Sequence, residues 1–181
     1  MLQLVIPVAP EGWDEIKEEF VDAKTVTLKL EHSLVSISKW ESKWNKAFLS
    51  NTPKTDEEIF DYIKCMVTTS NVDDSVFNHL TETNVKEIQD YINAPMTATT
   101  IREDKTAKGS REIVTNELIY YWMFSLGIPK DLEKWHLNRL LTLIKVFNAK
   151  NAPEKKMSKK DIMSRNAALN QARRQKLNSK G

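Results

Sequence analysis

The spacing of apolar residues changes at Ser33 from a period of two to the longer period of a helix, which limits the chain to strands followed by helices. Residues 23 to 32 alternate apolar and polar side chains, as a half-buried strand does. Residues 2 to 8 are rich in apolar and β-branched side chains and predict a second strand. We therefore expect a small antiparallel hairpin whose strands are joined by a long acidic loop.

Helical periodicity begins directly after these strands. Apolar residues on one face predict a first amphipathic helix, and they are Leu34, Ile37, Trp40, Trp44 and Phe48. Thr55 and Glu58 have the spacing of a capping box and predict the start of a second helix. The residues of the second segment expected to face the core are Ile59, Ile63, Met66 and Val67.

Two shorter helices and a polar segment are expected next. The short helices correspond to DDSVFNHL and NVKEIQDYI, and Pro95 ends the second. Residues 97 to 111 are polar and contain Gly109, so we expect an exposed loop or a short mobile hairpin there.

The most apolar part of the chain is NELIYYWMFSLGIP, residues 116 to 129. Its apolar residues lie on nearly all sides of a helix, which predicts a buried central helix closed by Gly127 and Pro129. KDLEKWHLNRLLTLIKVFN follows with leucines at helical spacing, joined through the turn GIPKD. We expect these two helices to form an antiparallel hairpin at the heart of the fold.

These patterns predict a mainly α protein, a helical domain with a small N-terminal antiparallel β element and a C-terminal basic helical arm. The expected boundaries are residues 1 to 148 for the body, 149 to 157 for a linker and 158 to 181 for the arm. Ser158 and Asp161 form a start resembling a capping box for the last helix.

Charge is divided unevenly along the chain. Residues 155 to 181 hold nine Lys or Arg residues and one acidic residue, which leaves 18 basic and 24 acidic residues for positions 1 to 154. An acidic body with a basic tail indicates self-contact, head-to-tail assembly or an anionic partner. The predicted partner-binding residues are the cations of the arm and an aromatic loop residue: Lys155, Lys156, Lys159, Lys160, Arg165, Arg173, Arg174, Lys176 and Trp13.

Three interpretations of the basic tail remain open: a contact with another protein or copy, a solvated end, and a nucleic-acid clamp. Its cations are spread around the helix axis, and no aromatic residue lies beyond Phe147 to stack on bases. Both features favour a protein contact over nucleic acid. Non-specific attraction to phosphate needs charge alone and is kept as an alternative.

The sequence contains few residues in patterns typical of phosphate binding, metal binding or catalysis. Four glycines cannot be arranged into a phosphate-binding loop, and the three histidines lack the spacing of a metal site, so we expect no cofactor and no metal. Cys65 is predicted to be an inert buried thiol, and His136 a half-buried histidine with a structural hydrogen bond. The sequence thus predicts no enzyme.

The expected cellular compartment is inferred from the lack of membrane-span and signal-peptide patterns in the sequence. No apolar run reaches the roughly 20 residues of a membrane span. The first residues lack the pattern of a signal peptide, and a single cysteine excludes an internal disulfide. We therefore expect a cytoplasmic protein without a membrane contact.

The segments LEHSLVSISKWESKW and NELIYYWMFSLGIPKDLEKWHLNRLLTLIKVFNAKN, together with the basic end, resemble a group of proteins from tailed bacteriophages. The order of parts is similar to that of tail assembly chaperones, which coat a tape-measure protein while the tail tube polymerises. The resemblance implies a non-enzymatic assembly factor of the host cytoplasm whose partners are other tail proteins or further copies of itself. A structural component of the neck, tail or head of the virion is the alternative.

Overall fold

The computed structural model describes residues 1–9, 12–14, 19–21, 23–100, 112–152 and 159–177. The fold is mainly helical with a small N-terminal antiparallel sheet and a C-terminal helix, as predicted. The strands are β1 (Leu2–Ala9), β2 (Gly12–Asp14), β3 (Glu19–Val21) and β4 (Lys24–Leu30). The helices are α1 (Leu34–Trp44), α2 (Asp56–Met66), α3 (Glu82–Asn93), α4 (Asn116–Ser125), α5 (Leu137–Asn151) and α6 (Lys159–Leu177).

The predicted hairpin is formed by β1 and β4, which pair antiparallel with Leu4 opposite Leu28. Leu4, Ile6 and Leu28 are buried, because alternate side chains of each strand point to the core. The connection contains more structure than the long loop we expected, since β2 and β3 form a second antiparallel ladder.

The segment after α2 pairs with the end of β4. Val67 forms an antiparallel bridge with Leu30. The Lys29 amide donates to Thr69 Oγ1 at 2.8 Å, and the Lys29 carbonyl accepts from the Thr68 amide at 2.8 Å. Residues 67 to 69 thus lie along the side of β4 that faces away from β1.

The central helix of the body is α1, which packs against α2 and α4. Ser33 caps its first turn, and Asn45 ends it in the left-handed conformation. The prediction that Phe48 belongs to this helix is therefore wrong. The chain instead turns back after Asn45 and packs the Phe48 ring against Tyr62, with ring centroids 4.1 Å apart.

Helix α2 begins with the predicted capping box of Thr55 and Glu58. Ile63 and Met66 are buried as expected, but Ile59 is 41% exposed. Tyr62 takes the core position expected for Ile59, because the buried face of α2 follows a line through Glu58, Tyr62 and Met66.

The two short helices are present with adjusted boundaries. Residues Asp74–His79 form a 3-10 helix capped by Asp73, and α3 ends at Asn93, before Pro95. Ile88 and Tyr91 of α3 are buried. Of the polar segment 97 to 111, residues 98 to 100 are exposed, and 101 to 111 lie outside the described residues.

The predicted pair of central helices differs from the structure in two respects. Helix α4 is not buried on all sides, because Tyr121 and Phe124 are 65% and 62% exposed. Helix α5 begins only at Leu137, since Lys130–Lys134 form a 3-10 helix and His136 forms a bridge with Ser33. The closest helix packing in the body is that of α1 with α2, which gives α1 the central place expected for α4.

The chain divides into two compact units, Met1–Asn148 and Ala149–Gly181. The first contains the buried apolar core. Helix α5 continues to Asn151, so three residues that we expected in the linker are helical. Residues 153 to 158, including the predicted cap Ser158, lie outside the described residues.

Candidate interaction surfaces

The predicted cations of the arm lie on α6 wherever the structure describes them. These are Lys159, Lys160, Arg165, Arg173, Arg174 and Lys176, and all six residues are exposed. Lys155 and Lys156 lie outside the described residues. Helix α6 therefore exposes six positively charged side chains within 19 residues.

The faces of α6 differ in composition although its cations are spread widely. With about 100° between successive residues, Ile162 and Leu169 fall on one line, and Arg173 and Lys176 lie within about 40° of that line. Lys160 lies on the opposite side of the helix. One face of α6 therefore combines an apolar stripe with cations.

Trp13, predicted to be an anchor in a loop, lies in β2 opposite Phe20 of β3. The side chain of Trp13 is not among those that the structure describes. Its role as a partner-binding residue stays a prediction.

Helix α4 presents an aromatic surface that its sequence pattern did not lead us to expect. The outward face carries Glu117, Tyr121 and Phe124, all exposed. The Tyr120 and Phe124 rings stack with centroids 6.2 Å apart, and the Tyr120 hydroxyl donates to Glu133 at 2.8 Å. Burial and this hydrogen bond raise the pKa of Tyr120 to about 12, so its hydroxyl keeps its proton.

The other flank of α4 borders an apolar groove of about 330 Å³. Trp122 of α4 and Leu141 of α5 line it, with Leu49 and Val114 from the adjoining loops. The groove and the outward face of α4 give the body a surface rich in aromatic side chains, the type of residue enriched in protein interfaces.

The buried carboxylate of Glu41 fixes the position of α4. Glu41 Oε2 accepts from the Asn116 backbone amide at 2.8 Å and from Asn116 Nδ2 at 2.6 Å, while Oε1 accepts from the Phe48 amide at 2.6 Å. Thr115, at the N-cap position of α4, makes no capping bond with its side chain. A carboxylate of α1 therefore supplies the cap of α4 and places the aromatic face.

A cluster of polar side chains lies inside the body. Nδ1 of His32 and the Tyr62 hydroxyl are hydrogen-bonded at 2.5 Å, and the His32 and His136 ring centroids are 5.0 Å apart. Nε2 of His136 donates to the Tyr91 carbonyl at 3.0 Å, and its Nδ1 accepts from the Asn138 amide. One ring nitrogen of His136 thus donates and the other accepts, as in a neutral imidazole.

Burial sets the protonation of this cluster. It lowers the pKa of His32 to about 4, with a further contribution from the neighbouring His136, and it also lowers the pKa of His136. Burial raises the pKa of Tyr62 and of Tyr91, and the bond from the Tyr91 hydroxyl to Glu31 acts in the same direction. Both imidazoles are neutral at pH 7 and serve as packed, hydrogen-bonded core groups.

His136 is more buried than we expected, at 6% exposed, and it lies just before α5 rather than on it. Cys65, expected to be buried, is half-buried, and desolvation raises the pKa of its thiol. Among the described residues, no group of three His, Cys, Asp or Glu side chains is arranged to hold a metal ion. None of the described helices has the length and apolar character that crossing a bilayer requires.

Comparison of the chain with protein-family models, with curated proteins and with solved structures gave no match.

Proposed function

We propose that this protein is a non-enzymatic bacteriophage assembly protein that acts through protein–protein contacts, in the manner of a tail assembly chaperone. The observation that carries the proposal is α6, a helix of 19 residues whose described side chains are all exposed. A helix with so little apolar surface gains little from a core of its own and is suited to the groove or face of a partner. The resemblance to tailed-phage proteins indicates which kind of assembly the contact serves.

The body supports a binding role rather than catalysis. Helix α4 exposes two aromatic side chains on one face, Tyr121 and Phe124, and aromatic residues are enriched in protein interfaces. The ring nitrogens of His136 are both engaged by backbone groups, and the raised pKa of Cys65 disfavours its thiolate. These groups are therefore poorly suited to general-base or nucleophilic chemistry.

The alternative of a structural virion component is favoured by the opposite charges of the body and the arm, which suit a ring or lattice of copies. The nucleic-acid alternative is supported by the six cations of α6 and weakened by the lack of aromatic residues in that helix. The chaperone would act in the host cytoplasm and leave before the particle matures, whereas the structural component would stay.

Interrupting the gene in a phage that encodes this chain tests the proposal. We expect particle yield to collapse, with tails absent or of irregular length in electron micrographs, and restoration by the intact chain supplied in trans. Quantitative mass spectrometry of purified wild-type particles then separates the two roles, because the chaperone is absent and the structural component is present in stoichiometric amounts. Normal particles from the interrupted phage would refute an assembly role.

The nucleic-acid alternative has its own measurement. The logarithm of an affinity based on phosphate contacts falls linearly with the logarithm of salt concentration, and six contacts give a slope of roughly −5 on duplex DNA. We expect no binding to duplex DNA whose affinity depends on salt with this slope. A steep salt dependence at submicromolar affinity would favour the nucleic-acid alternative over the proposal.

A further inference from the structure

We infer that the outward face of α4 is the docking surface for helix α6 of a second copy, so that copies join head to tail. The inference rests on the proposed function, because it specifies which contact an assembly protein of this kind would use. In this contact the face of α6 with the apolar stripe binds the aromatic face of α4, which we call the acceptor face.

The acceptor is an unpartnered helix face with the composition of an interface centre. Tyr121 and Phe124 are 65% and 62% exposed, although contact of their apolar ring surface with water is unfavourable. Aromatic side chains near the centre of an interface supply most of its binding energy, and cations bind over their rings. A partner for this face should therefore bring both aliphatic groups and cations.

Charge selects α6 of a second copy as that partner. Glu117 is the one charged residue of α4, and Glu133 beside Tyr120 adds a second carboxylate at the edge of the face. From Ile162 to Leu177, α6 carries four cations and no acidic residue. Opposite charges at the two surfaces favour their encounter and disfavour pairing of two α4 faces or two arms.

The spacing of side chains on the two helices also matches. Along α4, Phe124 and Glu117 are seven residues apart, or about 10 Å along the axis, with Tyr121 between them. Along α6, Leu169 and Lys176 are seven residues apart on nearly one line, with Arg173 between them.

An antiparallel arrangement of the helices brings these side chains together in three pairs. Leu169 lies over Phe124, Arg173 over the ring of Tyr121, and Lys176 against Glu117. The pairs are an apolar contact, a cation–π contact and an ion pair, so every side chain of the acceptor face has a partner of matching chemistry.

The contact has a geometric consequence. The arm and the acceptor face are different surfaces of the chain, so each copy can bind one neighbour with its arm and another with its α4. A heterologous contact of this type produces a closed ring, of which a dimer with exchanged arms is the smallest, or an open filament. The same contact therefore serves polymerisation around an elongated client and a ring in a particle.

Sedimentation velocity of the full-length chain over a range of concentrations tests the inference. We expect the wild-type chain to associate, and the arm variant Arg173→Glu/Lys176→Glu to associate at least about tenfold more weakly, since it loses two of the three pairs. The matched control is Lys160→Glu/Arg174→Glu, which makes the same change of charge on the other side of the same helix. This control should associate as the wild type does.

A mixing experiment identifies the head-to-tail arrangement. The face variant Tyr121→Ser/Phe124→Ser has an intact arm, and the arm variant has an intact face, so each alone should be monomeric at concentrations at which the wild type has just associated. Mixed in equal amounts they should form a heterodimer and nothing larger, because only one intact arm and one intact face meet. Circular dichroism of both variants should match the wild type, since the replaced residues are exposed.

Several results would overturn the inference. They are a wild-type chain that stays monomeric, equal weakening by the arm variant and its control, and a mixture that forms no heterodimer. Loss of association by the face variant alone would show that two α4 faces pair with each other. If the wild-type chain does not associate in solution but the interrupted phage still loses its particle yield, this contact is refuted and the assembly role stands.

Discussion

Lowering the pH from 7 to 5 is expected to destabilise the folded body by about 2 kcal/mol through His32 alone. His32 is 3% exposed, and its ring lies in contact with His136 and Tyr62. Two charged groups act on His136 of this cluster. They are Glu31, which accepts a hydrogen bond from the Tyr91 hydroxyl, and the N-terminal amine, which pairs with Glu31 at 3.0 Å.

The sign and size of the effect follow from proton binding. In the unfolded chain a histidine has a pKa of about 6.5, whereas burial lowers the pKa of His32 in the fold to about 4. Below pH 6.5 the unfolded state binds more protons, so stability falls with the pH until the folded state also binds one near pH 4. The total loss across that window is about 3 kcal/mol, of which about 2 is lost by pH 5.

Urea unfolding followed by tryptophan fluorescence at pH 7, 6 and 5 measures this effect. The variant His32→Gln cannot titrate but keeps a polar side chain for Tyr62, so its unfolding free energy should fall by about 2 kcal/mol less than that of the wild type. His79→Gln is the control, because His79 is exposed and its replacement should leave the pH dependence unchanged. Equal losses for the wild type and His32→Gln between pH 7 and 5 would refute the reasoning.

Three further predictions concern stability at pH 7, measured by urea unfolding with circular dichroism. Glu41→Ala should cost about 3 kcal/mol, because it removes the acceptor of the Asn116 and Phe48 backbone amides, whereas the exposed Glu57→Ala should cost under about 0.5; equal losses would show that the cap is unimportant. Trp40→Phe should cost about 2 kcal/mol by leaving a cavity and losing the indole hydrogen bond to a carbonyl of α2, and a neutral change would mean that the core repacks freely. Gly127→Ala should cost about 1 kcal/mol because φ is 66° there, and a stabilised variant would contradict this.

Local sequence signals were sufficient for the β hairpin and for the start of α2. Alternation in residues 23 to 32 reports directly which side chains face the core, and the capping box depends on two residues three positions apart. The spacing of apolar residues carries no such signal for the end of α1. Asn45 ends the helix in the left-handed conformation, which periodicity alone does not reveal.

The aromatic face of α4 was missed because apolar character was equated with burial. A signal was available, since Glu117, Tyr121 and Ser125 fall close to one line at intervals of four residues and all carry a polar side-chain atom. The packing that buries Ile119 and Met123 and leaves Tyr121 outside depends on α1 and on the carboxylate of Glu41. Such a contact between distant segments cannot be derived from spacing.

The pair of His32 and His136 also escaped prediction, although the structural role expected for His136 agrees with its hydrogen bonds. The two rings meet because Ser33, the residue after His32, forms a bridge with His136. No pattern in either segment indicates the other, so this part of the core could be recognised only in three dimensions.

The pairing of residues 67 to 69 with β4 covers part of a strand edge. An open strand edge offers free amides and carbonyls to any passing chain, and continuous cross-β stacking can grow from such an edge. Here Thr68 and Thr69 occupy both the amide and the carbonyl of Lys29. At Lys29, therefore, the edge of β4 has neither its amide nor its carbonyl free to pair with another chain.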